Sequence, residues 1–220
     1  VLTMSYEQAT SVNSTEVVEL AQPRRNHLGR AVLELFLTEL FEWRRMQTDP
    51  NFGNFRVRID ETGNDDKLVL LDFGAMRLLP DDFASEFCDM LLAACNRDKP
   101  RFLERSISLG FMKAHFPQSV LDNFVDIGVD IAEPLREVDS TVPERAVTEE
   151  GQYWWRNSGL PQRIAKRAVA ASISKYFALP PKDFLYVMRK LMGVYALIAL
   201  LDARFAADDT IEKYIADADK

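Results

Sequence analysis

Apolar and charged residues alternate at residues 55–59, Phe-Arg-Val-Arg-Ile, which is the pattern of a half-buried β-strand. A second apolar run, residues 68–71, follows a polar stretch, residues 60–67, that contains the turn dipeptide Gly63-Asn64. The two runs predict a β-hairpin. We expect this hairpin to be the only clear β structure in the body of the chain.

Most of the remaining chain has the apolar spacing of helices. The pattern predicts a short helix at residues 15–20 and a long helix that begins near Pro23 and ends near Arg45. Proline suits a helix start because it lacks the backbone N–H group, which has no hydrogen-bond partner in the first turn of a helix. Residues 191–201 are apolar nearly all round, so we expect them to be fully buried. Further predicted helices cover residues 82–96, 99–109, 117–133, 160–177 and 183–206, before a short polar helix or tail at 208–220.

Composition limits the possible classes of protein. The chain has 220 residues, 47% of them hydrophobic, which is enough for one large or two small domains with a buried core. Its net charge of −7 argues against nucleic acid as the main partner, because phosphate binding needs a basic face. The longest apolar run, residues 193–201, is half of what a membrane span requires.

The two cysteines, Cys88 and Cys95, lie seven positions apart on a predicted helix. At a rise of about 1.5 Å per residue they are separated by about 10 Å, which is too far for a disulfide. We therefore predict two buried thiols and an intracellular, reducing compartment.

The candidate chemistry lies in two loops at the ends of the predicted hairpin. Asp49 and Asn54 stand five apart on a loop, and Asp72 ends the second apolar run and begins an Asp-Phe-Gly motif. Protein kinases have a base Asp and a metal-binding Asn at this spacing, followed by a metal-binding Asp in Asp-Phe-Gly. Mg²⁺ prefers hard oxygen ligands and usually takes one or two carboxylates plus nucleotide phosphates. This pattern predicts Asp72 and Asn54 as metal ligands and Asp49 as the group that orients or deprotonates the acceptor.

Each of these motifs has an ordinary structural alternative. Asp72 before Phe-Gly also suits a strand end or helix cap, and an Asp with an Asn five residues later means little by itself. The two motifs in this order, with an apolar strand before the second, favour the catalytic interpretation. An all-α interaction domain with a chance Asp-Phe-Gly is the remaining alternative.

The segment after Asp-Phe-Gly is short. Protein kinases have a long activation segment there, ending in Ala-Pro-Glu, which docks the peptide substrate. Here only five residues, 75–79, precede a helix start at Pro80. This favours a small-molecule, lipid or water acceptor over a protein. Arg77 could pair with a phosphate, with Asp72, or in an ordinary surface salt bridge, and we expect Glu39 to pair with the nearby arginines at 44 and 45.

The strings QTDPNFGNF and LVLLDFGAMR closely resemble the UbiB-type atypical kinases, the ubiquinone-biosynthesis kinase-like family. Further matches are LTELFEWRRMQTDP and YVMRKLMGVYALIALLDARF, so the resemblance covers most of the chain and is weakest at residues 134–160. It implies a mainly α (α+β) fold, the C-terminal lobe of a protein-kinase-like fold with the metal site on its hairpin. It also implies an atypical kinase or ATPase that uses ATP and Mg²⁺ and supports ubiquinone biosynthesis.

The resemblance also implies an order of segments. Residues 1–10 would be the hinge strand, in which Met4, Ser5, Tyr6 and Glu7 bind adenine, although Gln8-Ala9 stand where the family usually has a glycine. Without the resemblance, a strand with a purely structural role is the alternative. Residues 11–133 would be the core of the lobe, 134–160 a connecting loop, and 161–220 family-specific helices. The phosphate-binding loop and strand lysine of the N-terminal lobe precede the hinge in such proteins. We therefore expect a C-terminal lobe that lacks its N-terminal partner and, alone, is inactive and binds Mg-nucleotide weakly.

Residues 153–177 have three aromatic residues followed by a basic helix with Arg163, Lys166, Arg167 and Lys175. Such a helix can lie on an anionic membrane surface, or it can be a packed helix with a solvated basic side. The residues alone favour the packed helix, whereas the resemblance raises the membrane interpretation, because the pathway handles polyprenylated lipids. The sequence leaves open whether the protein lies at the cytoplasmic face of a bacterial inner membrane or in an organelle. A non-catalytic nucleotide-binding scaffold for lipid-modifying enzymes is the main alternative function.

Overall fold

The computed structural model describes residues 6–49, 51–172 and 180–218. The fold of this part is mainly helical, as predicted, and the predicted helices are present, although the helices predicted to end near Arg45 and at residue 206 end at Leu37 and Leu200. The helices are α1 (Thr15–Val18), α2 (Gln22–Leu37), α3 (Asp81–Cys95), α4 (Lys99–Ser108), α5 (Gln118–Ile131), α6 (Leu160–Ser172), α7 (Lys182–Leu200) and α8 (Asp208–Ala218).

Five short strands form two antiparallel sheets. They are β1 (Thr10–Ser11), β2 (Arg45–Gln47), β3 (Phe55–Arg58), β4 (Lys67–Leu70) and β5 (Met76–Leu78). The predicted hairpin is confirmed as β3–β4, and β1 adds to it in the order β1-β3-β4. The expectation that the hairpin is the only β structure was wrong, because β2 pairs with β5. Three-residue strands show no alternation, so only their pairing in the folded chain reveals them.

The long helix that precedes β2 ends earlier than predicted. After α2 the chain makes a π-helical turn, Thr38–Glu42, and Arg44 then takes a positive φ of 48° that ends the helical path. The Arg44 carbonyl accepts a hydrogen bond from Leu79 N at 2.8 Å, which starts the β2–β5 pairing. Such turns insert an extra residue and are frequent at functional sites. Here the turn carries the buried side chain of Glu39.

One hydrophobic core joins the buried faces of α2, α3 and α7, and α2 packs directly against α7. Gly29 allows their close approach, because a Cβ there would lie 2.7 Å from Ala203 Cβ, just beyond the end of α7. Residues 191–201 are only partly buried, contrary to expectation: Leu191 and Ile198 are buried, whereas Ala196 is exposed. A helix at the edge of a core buries one face only, even when all of its faces are apolar.

The two cysteines are free and buried, as predicted. Burial raises the pKa of Cys88 and of Cys95 to about 12, so both are neutral thiols at physiological pH. The reducing compartment stays a prediction.

The connection between α5 and α6 packs into the core. Tyr153 and Trp155 are buried, and the Tyr153 carbonyl accepts a hydrogen bond from Phe205 N at 3.0 Å. The Trp155 indole donates to the Phe205 carbonyl at 3.1 Å. Two 3₁₀ turns, Glu133–Leu135 and Glu144–Ala146, order the stretch that precedes these aromatic residues.

Candidate functional site

Two loops lie side by side because strands pair at both of their ends. The first, residues 48–54, runs from β2 to β3, and the second, residues 71–75, runs from β4 to β5. At one end Thr48 donates to the Ala75 carbonyl through its amide at 3.0 Å and its hydroxyl at 2.9 Å. At the other end Leu71 N donates to the Asn54 carbonyl at 3.0 Å. The sheet register therefore holds the two sequence motifs against each other.

Asp49 and Asn54 are in direct contact across the first loop. The Asn54 side-chain amide donates to Asp49 Oδ2 at 2.9 Å. Asn51 supports the loop from within, since its side chain accepts from Gly53 N at 2.9 Å and begins the 3₁₀ turn Phe52–Asn54. Asn54 uses its NH₂ group in this contact, which leaves its carbonyl oxygen as a potential ligand.

Asp72 begins a tight turn directly after the hairpin. Its Oδ1 accepts from Gly74 N at 2.7 Å, which is the side-chain-to-backbone bond expected of Asp in a turn. This contact agrees with the structural alternative for Asp72, yet it engages only one of two carboxylate oxygens. Phe73 is 56% exposed and does not pack into the core.

Asn54 and Asp72 line the same narrow cleft, whose volume of about 10 Å³ has room for about one water molecule. The buried residues Gln47, Glu39 and Lys190 also line it. The structure thus brings the two predicted metal ligands to one place, and Asp49 joins them through its hydrogen bond to Asn54.

A buried ion pair lies at the inner end of this cleft, and sequence analysis missed it. Lys190 Nζ is 3.0 Å from Glu39 Oε2, and the side chains are only 2% and 4% exposed. Glu39 was expected to pair with Arg44 or Arg45, which was wrong; Arg44 instead donates to the Asp81 carbonyl at 2.9 Å. Burial raises the pKa of the Glu39 carboxyl, and the charge of Lys190 opposes that rise.

A signal for Lys190 was present in the sequence. It follows Val187 by three positions and precedes Val194 by four, so it shares the buried face of α7 with them. A lysine on an apolar helix face requires a buried partner. The sequence pattern could not identify that partner, because Glu39 lies far away in the chain.

Two further side chains of α7 approach the loops. Arg77, directly after the second loop in β5, pairs with Asp183 at 2.8 Å and lies over the Tyr186 ring at 4.4 Å. Of the alternatives for Arg77, the structure therefore has an ion pair with a neighbouring helix, not with Asp72. Arg189 lies 3.8 Å from Asp49 Oδ1, and both side chains are partly exposed.

Comparison with known proteins finds relatives among the atypical kinases. The model of the ABC1 atypical kinase-like domain matches residues 1–106. A protein named atypical kinase coq-8, mitochondrial, from Caenorhabditis elegans is 31% identical over 186 residues, which are 84% of this chain and 23% of that protein. The chain belongs to the UbiB-type family of atypical kinases.

Other relatives of this UbiB-type chain agree over most of its length. Atypical kinase COQ8, mitochondrial, from Saccharomyces cerevisiae is 28% identical over 88% of the chain and 36% of that protein. Atypical kinase COQ8B, mitochondrial, from Rattus norvegicus is 28% identical over 95% of the chain and 36% of that protein. The chain thus spans between about a quarter and about a third of the length of these curated relatives.

A solved structure shares the fold. The Mycobacterium tuberculosis protein Rv3197, in its complex with erythromycin, matches with a TM-score of 0.61 and 17% sequence identity. The match covers 96% of this chain and 48% of that protein. At this identity the likeness concerns the fold alone.

The hinge expected of a UbiB-type protein lies at the edge of the described part. Met4 and Ser5 are outside the described residues, Tyr6 is 89% exposed, and Glu7 pairs with Arg58 at 3.1 Å. Residues 6–9 form no strand, and β1 begins only at residue 10. Adenine binding by these four residues stays a prediction.

The segment expected to face a membrane is largely engaged in internal contacts. The Trp154 indole donates to Asp202 Oδ1 at 2.8 Å, and the two aromatic residues beside it are buried in the core. Arg163 pairs with Glu133 at 2.6 Å and Arg167 with Asp130 at 2.8 Å, whereas Lys175 lies outside the described residues. No helix in the described ranges combines the length and apolar character needed to cross a bilayer.

Among the residues that the structure describes, no three His, Cys, Asp or Glu side chains group as a metal site would require. A metal at this site would therefore depend on one carboxylate, Asp72, and one amide oxygen, Asn54, together with oxygens of a bound nucleotide. That donor set suits Mg²⁺, which takes few protein ligands and completes its shell with phosphate and water.

Proposed function

We propose that this chain is part of an atypical kinase or ATPase that uses Mg-ATP and supports ubiquinone biosynthesis. The observation that carries the proposal is the cleft shared by Asn54 and Asp72, with Asp49 hydrogen-bonded to Asn54. Membership of the family is also compatible with a protein that has lost catalytic activity. Three intact polar residues held together by two strand pairings favour retained chemistry.

Each of the three residues has a distinct proposed role. Asp72 and Asn54 would hold Mg²⁺, which when bound neutralises charge on the transferring phosphates. Asp49 would accept a hydrogen bond from the acceptor hydroxyl or water and so orient it. Asn54 keeps Asp49 in place through its side-chain amide. Catalysis would then rest mainly on positioning and electrostatic stabilisation.

The acceptor is proposed to be a small molecule, a lipid or water. After the second loop the chain enters β5, which pairs with β2, and α3 begins at residue 81. These described residues form no extended platform of the kind that docks peptides in protein kinases. The proposal therefore excludes phosphorylation of protein substrates in trans.

Nucleotide binding and location complete the proposal. Residues 4–7 would contact adenine, and an N-terminal lobe would supply the remaining phosphate contacts. The names of the relatives include the word mitochondrial, and we extend an organelle location to this protein. Contact with a membrane surface through residues 153–177 would depend on exposed basic side chains such as Lys166, since the aromatic residues are engaged in the fold.

The test is ATP hydrolysis by the full-length protein and by Asp72→Asn and Asp49→Ala. Both variants should lose turnover by about 100-fold or more. The matched control is Asp65→Asn, an exposed aspartate on the hairpin turn that should keep full turnover. Mg-ATP binding without turnover in the wild type would contradict catalysis and favour the scaffold. No nucleotide binding by the wild type would favour the interaction domain with a chance Asp-Phe-Gly.

A further inference from the structure

The buried pair Lys190–Glu39 is an unusual feature for a core. Lys and Glu are almost never fully buried unless paired, and the desolvation penalty of such a pair can exceed its electrostatic gain. Apolar residues of similar volume often serve stability equally well. The contacts of this pair indicate what else it does.

Glu39 is bonded directly to the start of the first loop. Its Oε1 accepts from Gln47 N at 3.3 Å, two residues before Asp49. The side-chain amide of Gln47 reaches the Asp72 carbonyl at 3.5 Å, the long limit of a hydrogen bond. Gln47 therefore contacts both motifs, and Glu39 fixes the backbone of Gln47.

Lys190 lies beneath the other ends of the two loops. It lines the cleft together with Asn54 and Asp72. Its ammonium group is 5.8 Å from the ring centroid of Phe55, the residue that follows Asn54. The pair thus contacts Gln47, two residues before Asp49, and lies near Phe55, the neighbour of Asn54.

The surrounding contacts of α7 support the same conclusion. Asp183 pairs with Arg77, just after the second loop, and Arg189 approaches Asp49 in the first. Three side chains of one helix therefore contact segments that flank the site. Of these contacts, only that of Lys190 is fully buried, where salt and solvent do not weaken it.

We infer that Lys190 is a positioning residue for the phosphoryl-transfer site, acting through its ion pair with Glu39 and through Gln47. The pair anchors the first loop and the Asp-Phe-Gly turn to α7 and so fixes their positions relative to each other. This inference rests on the proposed function for its chemical consequence, but its structural consequence can be measured independently.

The experiment compares two double variants of the full-length protein. Lys190→Met with Glu39→Gln removes the pair but keeps an acceptor for Gln47 N. Arg163→Met with Glu133→Gln is the matched control, because Glu133 is equally buried, pairs with an arginine, and accepts a hydrogen bond from Tyr153. Three quantities are measured: hydrogen exchange at the amides of residues 47, 48 and 71, Mg-ATP affinity, and melting temperature.

The site variant should exchange these three amides faster and bind Mg-ATP about 10- to 100-fold more weakly, as when groups that orient metal ligands are removed. The control variant should keep the exchange rates and the Mg-ATP affinity of the wild type. Its melting temperature should be similar to that of the site variant. Unchanged exchange and affinity in the site variant would overturn the inference. Equal losses in both double variants would also overturn it, because the pair would then serve stability alone.

A second variant keeps the test decisive if the site variant does not fold. Gln47→Met preserves the backbone contact to Glu39 and removes the side-chain contact to Asp72. It should weaken Mg-ATP binding with little change in melting temperature. Unchanged Mg-ATP affinity would show that the pair does not act through Gln47. A wild-type protein that does not bind Mg-ATP would refute the proposed function. In that case the hydrogen exchange of residues 47, 48 and 71 would still show whether Lys190 positions the two loops.

Discussion

Asn54 donates its side-chain amide to Asp49 at 2.9 Å, so the two polar residues of the first loop hold each other in one arrangement. The contact joins a neutral donor to a carboxylate that is partly exposed. It lets both residues lie close together without charge repulsion, which two carboxylates at the same positions could not do.

Replacing Asn54 by Asp should destabilise the protein in the absence of metal. Two carboxylates in contact repel each other at pH 8, with an expected loss of on the order of 1 kcal/mol in the free energy of unfolding. Mg²⁺ should reverse this loss at pH 8. Thermal unfolding at pH 8, with and without MgCl₂, measures this.

Asn13→Asp is the control for this substitution, because it adds the same charge at an exposed position. It should give no response to Mg²⁺. If Asn54→Asp behaved like Asn13→Asp, the contact between residues 49 and 54 would not be part of the native site.

Asp66 should contribute stability that depends on pH. Its carboxylate accepts from Arg24 Nε at 2.7 Å and Nη2 at 2.6 Å, and from Asp60 N at 2.9 Å. The hydrogen bonds from Arg24 are the largest cause that lowers the pKa of Asp66. Because the folded-state pKa lies below the ordinary value, this stability is present above about pH 4 and is lost as the pH falls through the folded-state pKa.

Asp66→Asn should therefore lower the free energy of unfolding by about 2 kcal/mol at pH 7 and by less at pH 3. Urea unfolding at the two pH values measures the difference. Asp65→Asn, next to it but exposed, should change stability by less than about 1 kcal/mol at either pH. An equal loss for Asp66→Asn at both pH values would exclude the ionised carboxylate as the cause.

Gly29→Ala should destabilise the protein, although alanine favours helices more than glycine does. The added Cβ would lie 2.7 Å from Ala203 Cβ and 3.0 Å from the Phe205 ring, so α2 and the segment after α7 must move apart. Overpacking of this kind typically reduces the free energy of unfolding by about 1–3 kcal/mol. Urea unfolding tests it, and a stabilised variant would mean that the two segments do not meet this closely.

Much of the fold was predictable because its signals are local. Helix periodicity identified the helices on both sides of the site, and alternation at residues 55–59 identified the hairpin. The loop motif and Asp-Phe-Gly identified three polar residues, of which the structure brings Asn54 and Asp72 to one cleft. The role of these residues as a metal and catalytic site stays a prediction.

The β2–β5 pairing and the π-helical turn were not predictable in the same way. Strands of three residues are too short for a periodic pattern, and a π-helical turn interrupts a helical pattern that otherwise continues. Both depend on contacts made only after α2, the hairpin and α3 have packed together.

The sequence by itself determined the helices, the hairpin, the family and the three polar residues, since each is encoded by neighbouring positions in the chain. Only the tertiary structure decided that Glu39 pairs with Lys190 and that Gln47 lies between the two motifs. An ion pair between residues far apart in sequence has no local pattern. It exists because α7 packs against α2 and brings the buried charge of Lys190 to the opposite charge of Glu39, which compensates it.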